Sequence, residues 1–96
     1  MVRELAEIEV GAEKAVAFEA AVAEAVSMFD AAPGCRGLTL HRSIEHPGRY
    51  WLIVGWDAVA DHEGFRASEA FGLWRRLAGP FFTGPPRVEH LEQVVG

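Results

Sequence analysis

The chain has 96 residues, half of them hydrophobic, and a formal net charge of −5. That length fits one domain over 1–96, and that composition is globular rather than disordered. The nine basic residues are scattered, with no stripe to replace phosphate counterions, which excludes a nucleic-acid binder and disfavours an anionic membrane surface.

Residues 2–10, VRELAEIEV, set Val2, Ala6, Ile8 and Val10 against Arg3, Glu7 and Glu9. This is the alternation of a strand, and it lacks the apolar core of a signal peptide. After Gly11 the period changes. Ala15, Phe18, Val22, Val26 and Phe29 recur at three and four, which predicts an amphipathic helix that Pro33-Gly34 stops. Residues 35–44 predict a second strand, EHPG a turn, and 49–57 a third strand hairpinned to the second. Asp57 offers an N-cap for a helix through Val59, His62 and Phe65. Phe65 and Phe71 are six apart and fall on different helix faces, so a kink is expected near Ala67, with Ser68 capping a second piece that carries Phe71, Trp74 and Leu77. AGPFFTGPP reads as a loop and residues 87–95 as the last strand. No apolar run approaches the roughly 20 residues of a membrane span. The one cysteine, Cys35, leaves no disulfide framework or thiolate metal site, and a soluble cytoplasmic protein is expected.

The order β-α-β-β-α-β with right-handed crossovers gives the α+β, ferredoxin-like arrangement: a four-stranded antiparallel sheet with its helices on one face. The third strand is apolar on both sides, with Tyr50, Leu52, Val54 and Trp56 on one and Trp51, Ile53 and Gly55 on the other. The helices can cover only one side. A second copy of the sheet is the economical cover for the other, so a homodimer packed face to face, curling towards a barrel, is expected.

Four strings in order, GAEKAVAFEAAVAEA, APGCRGLTLHRS, RYWLIVGWDAVADHEGFRASEAFGLW and PPRVEHLEQV, resemble the antibiotic biosynthesis monooxygenase (ABM) superfamily of dimeric α+β barrel proteins, with Y-x-L-x-V-x-W-x-x-x-x-x-H the most specific stretch. The resemblance implies a pocket between the second helical region and the sheet, with His62, Phe65, Phe71, Trp74, Phe81 and Phe82 as candidate lining. It covers cofactor-free quinone oxygenases, haem-degrading oxygenases, isomerases and signal-processing proteins, so it implies a reaction only weakly. Haem-degrading members carry a ligating histidine after a Ser-x-x-Phe string. Here that string is Ser68 to Phe71, and the histidine's place falls near Trp74 or Arg75. The asparagine that such enzymes and some quinone oxygenases use is also missing, since the chain has none.

His62, with an ordinary pKa of about 6.5, is the candidate base or substrate anchor. A helix histidine satisfied by a neighbour is the alternative. HEGFR begins like H-E-x-x-H, but its fifth residue is Arg66, so no metal is expected. His41 and His90 sit on strands two and four and would join His62 only if register put them on its face. Arg66, Arg75 and Arg76 flank the same helix and could grip an oxyanion, with Arg66 or His90 the candidates to steady it. Trp51, Trp56, Trp74 and Tyr50 could form a flat aromatic slot, though core packing explains them equally, and for Trp56 better. The leading expectation is a cofactor-independent monooxygenase for a small aromatic or enolisable compound, with His62, Arg66 and His90 catalytic and Phe65, Phe71, Trp74, Phe81, Phe82, Trp51 and His41 binding. The rival is a non-catalytic dimeric module that holds a small hydrophobic molecule.

Overall fold

A computed structural model describes residues 1–96. Four strands, β1 (Val2–Glu9), β2 (Cys35–Arg42), β3 (Arg49–Trp56) and β4 (Arg87–Leu91), form an antiparallel sheet in the order β2-β3-β1-β4. Helices α1 (Ala15–Asp30), α2 (Val59–Arg66) and α3 (Glu69–Ala78) complete the ferredoxin-like α+β fold. The long hydrophobic helix begins as a short 3-10 turn over Ala12–Lys14. Its core face is Phe18, Ala21, Val22, Ala25 and Phe29, with Ala25 in the buried place that the three-and-four spacing gave to Val26.

The register decides which side chains share a face. Opposed residues in an antiparallel pair point the same way. Tyr50, Leu52, Val54 and Trp56 of β3 are buried, together with Ala6 and Ile8 of β1. Pairs Glu4↔Val54 and Glu4↔His90 place Glu4 and His90 on that same helix-covered face. Pairs Glu7↔Trp51, Leu5↔Ile53 and His41↔Trp51 put Leu5, Trp51, Ile53 and His41 on the other.

Two expected boundaries differ. Strand β4 stops at Leu91 rather than 95, because Leu91 already pairs with Arg3 and β1 begins one residue earlier at Val2. Asp57 does not cap α2. Its carboxylate takes Arg36 Nε at 2.6 Å and its N–H is donated to Gly34 O at 2.8 Å, so it is held towards β2; the N-cap is Ala58, whose N–H is donated to Asp61 Oδ2 at 3.1 Å. Gly34 is required there. Its φ of +78° lies in the left-handed region, and a Cβ would meet the Asp61 carboxylate. The hairpin turn needs Gly48 for the same reason, with φ +89° and the Val10 carbonyl where a Cβ would stand.

The break between α2 and α3 falls at Ala67, with Ser68 the N-cap of α3. Its Oγ accepts the Phe71 N–H at 3.4 Å and donates to Phe65 O at 2.6 Å. The bend brings Phe65 and Phe71 edge to face at 5.8 Å, although a continuous helix would part them. Ser68→Ala removes both bonds and is expected to cost about 1 kcal/mol, seen as a fall of roughly 4–8 °C in Tm.

Candidate functional site

Between α2, α3 and the covered face of the sheet lies a cleft of about 980 Å³, lined in part by the segment after α3. Its walls include Phe71, Trp74 and Phe82, its floor Ala6, Ile8 and Leu52, and its polar edge Arg66, Arg75, Glu4 and His62. The local folding is simple. Strand alternation aims Glu4 upward beside Ala6 and Ile8, and one turn of α2 drops His62 onto Trp56, whose ring it stacks against at 5.4 Å and 17°.

His62 is only 3% exposed and Glu4 only 6%. Trp56 Nε1–H donates to Glu4 Oε1 at 3.0 Å. His62 Nε2 stands 3.2 Å from the same oxygen, and His62 Nδ1 is hydrogen-bonded to His90 Nε2 at 2.8 Å. A line thus runs from buried indole through carboxylate and imidazole to an exposed histidine. Burial pushes the Glu4 carboxyl above its ordinary value, against the pull of the Trp56 donor and the Arg66 charge. Burial first, then the charges of His90 and Arg66, bring His62 down from 6.5 to about 4. The imidazole is therefore neutral at neutral pH.

The candidates named from sequence divide into three groups. His62 and His90 come together, and Arg66, Phe71, Trp74 and Phe82 line the same cleft. Phe65 and Phe81 pack inward instead: Phe65 against Phe29 at 4.7 Å, and Phe81 against Phe18 at 6.1 Å. Trp51 and His41 lie on the opposite face of the sheet, where His41 Nε2 meets Thr39 Oγ1 at 3.0 Å, so neither reaches the cleft. Of the two readings of the aromatic residues, core packing holds for Tyr50 and Trp56, and no flat slot with Trp51 assembles because Trp51 points to the other face. Glu4 was missed by the sequence reading. Its signal was a carboxylate in phase with the buried residues of β1. No group of three or more His, Cys, Asp and Glu side chains is arranged to hold a metal ion.

A sequence profile for the antibiotic biosynthesis monooxygenase family matches residues 1–77. The chain belongs to that family. Among solved ABM-like structures, a candidate antibiotic biosynthesis monooxygenase from Bordetella bronchiseptica is similar at 45% identity, with a TM-score of 0.96 over 98% of this chain and 97% of that one. Another, from Caulobacter crescentus, shares the fold at 23% identity and a TM-score of 0.85, covering 98% and 90% of the two chains. The uncharacterized protein YczJ of Bacillus subtilis (strain 168) is 34% identical over 95 residues, 98% of this ABM chain and 100% of its own. No helix of this family member is long and apolar enough to cross a membrane.

Proposed function

We propose that this ABM protein is a cofactor-independent oxygenase for a small aromatic or enolisable compound, bound in the cleft between α2–α3 and the sheet. The observation that carries the reading is the Trp56–Glu4–His62–His90 line set at the edge of a cleft walled by Phe71, Trp74 and Phe82. Such a site can remove a proton in poorly hydrated surroundings and leave an electron-rich anion that reduces O2 directly. For an anthrone-like substrate the balance closes. One oxygen atom enters as the new carbonyl, the second leaves as water with the two hydrogens of the oxidised carbon, and the substrate supplies the electrons. The family membership and the likeness to the Bordetella protein support the reaction type. A cytoplasmic setting suits the single free thiol of Cys35.

The proposal includes a homodimer. On the uncovered sheet face Leu5, Trp51 and Ile53 remain half-buried around the centre, with Arg3, Glu7, His41 and Arg87 about them. An apolar centre with a polar rim is the anatomy of a protein interface, and a second copy of the same face supplies its complement.

The test is O2 uptake with an anthrone or a quinol, wild type against His62→Ala. A clear loss is expected, and equal rates would remove the cluster from the reaction. The absence of asparagine from the chain favours a second reading, a dimeric module that binds such a molecule without turning it over. A ligand that raises Tm with no O2 uptake would select it.

A further inference from the structure

We propose that Glu4, rather than His62, is the proton acceptor of the cleft, and that Trp56, His62 and His90 are positioning residues that hold its carboxylate. The assignment rests on the oxygenase reading for the reaction it serves, but its geometry stands apart from that reading.

Donor and acceptor logic fixes the arrangement. Trp56 Nε1 is only a donor, and it gives its hydrogen to Glu4 Oε1. His62 Nε2 faces that same oxygen at 3.2 Å. An ionised carboxylate offers lone pairs alone, so a bare Nε2 there would set lone pair against lone pair. His62 therefore carries its proton on Nε2. Its Nδ1 must then accept, and His90 Nε2–H supplies the bond at 2.8 Å. No lone pair is left on His62 for a substrate proton.

Glu4 has one. Trp56 Nε1–H is hydrogen-bonded to Oε1, His62 Nε2 lies 3.2 Å from the same oxygen, and no protein group bonds Oε2. Yet no buried side-chain oxygen or nitrogen in the molecule lacks a partner, and Glu4 lines the cleft, so Oε2 is open to it. A substrate C–H or O–H placed there gives its proton to Oε2. The O–H bond forms, the substrate bond breaks, and the electron pair stays on the substrate as an enolate or phenolate. Arg66 lines the same cleft and supplies the facing cation. The charged or titratable groups that act on Glu4 from each side are His62 and Arg66 of α2, His90 of β4 and the Cys35 thiol of β2, with the Trp56 dipole from β3. Burial raises the carboxyl's proton affinity towards the range that proton abstraction at neutral pH needs.

A buried carboxylate is a poor structural device, since a neutral residue of the same shape is usually as stable or more so. That gives the experiment its contrast. Anthrone in anaerobic D2O exchanges its acidic methylene protons when a base removes them, and proton NMR reads the rate without any oxygen step. Glu4→Gln is expected to slow exchange about 100-fold or more while Tm holds or rises. His62→Phe keeps the stack on Trp56 but deletes the N–H beside Oε1. It is expected to slow exchange less and move the acid limb of the rate profile to higher pH, with His62→Gln as a second variant. Wild-type exchange rates in Glu4→Gln would overturn the assignment. Exchange without O2 uptake would leave it standing and sink the oxygenase reading alone. If anthrone is not exchanged at all, NMR of the wild-type protein decides. A Glu4 carboxyl carbon titrating above 4.5 and a His62 proton on Nε2 support the assignment; titration at or below 4.5, or a proton on Nδ1, overturns it.

Discussion

Replacing Ile53 with lysine is expected to turn the proposed dimer into a monomer or an aggregate on a sizing column, while the wild type is expected to elute as a dimer. Ile53 sits at the middle of the uncovered sheet face, opposite Leu5 on β1 and Thr39 on β2. Its side chain is half-buried by its own chain, so a lysine stem can still lie along the sheet and the fold survives. In a two-fold interface the substitution appears twice, each time placing an ammonium group in apolar contact. Even ~3 kcal/mol of desolvation weakens association by more than ~100-fold. The change leaves Glu4, His62 and the cleft untouched, because those residues occupy the other face. Circular dichroism should therefore match the wild type at concentrations where the variant is monomeric. An Ile53→Lys variant that still elutes as a dimer, or a wild type that elutes as a 10.5 kDa particle, ends the proposal.

The fold was legible because its signals are local. Alternation in β1 and β3, the three-and-four spacing of α1, EHPG and the six-residue gap between Phe65 and Phe71 each act within a few residues, and each is realised. Site residues depend on what lies across the sheet. Parity alone separates Trp51 from Trp56, since strand neighbours an odd number apart point to opposite faces, so a slot using both was never available. His41 and His90 needed pairings with β3 and β1 that no local pattern specifies. A bulge between Cys35 and Leu38, with Gly37 at φ +99°, shifts the first part of β2 further. Glu4 is different. Its phase with Ala6 and Ile8 marked it as inward-facing, and an inward carboxylate calls for a partner. The apolar members of β1 define its inward face, and the charged member in phase with them, Glu4, anchors the cluster.

Between pH 6.5 and 4 the protein is expected to lose stability through His62. In the unfolded chain this imidazole takes up its proton near 6.5; folded, it does so only near 4, held down by burial and by the charges of His90 and Arg66. The unfolded state binds more protons throughout that window, so the contribution is whole above 6.5 and falls away as the pH drops towards 4. The interval corresponds to roughly 3 kcal/mol, or about 12–24 °C of Tm for a domain of this size. Glu4 acts with the opposite sign. Its raised value means that the folded state binds the extra proton, so acidification through that value restores stability and partly masks the loss. The contributions separate in a Glu4→Gln background, where the carboxylate no longer titrates. Melting curves of Glu4→Gln should fall steeply from pH 6.5 to 4, and those of the Glu4→Gln/His62→Phe double variant should fall much less. Glu19, held below its ordinary value by Tyr50 and Arg42, also loses stabilisation in acid, but it does so equally in both variants and cancels from their difference. Parallel curves for the two variants would mean that His62 is freely protonated in the folded protein. The neutral imidazole that steers the proton to Glu4 would then be absent.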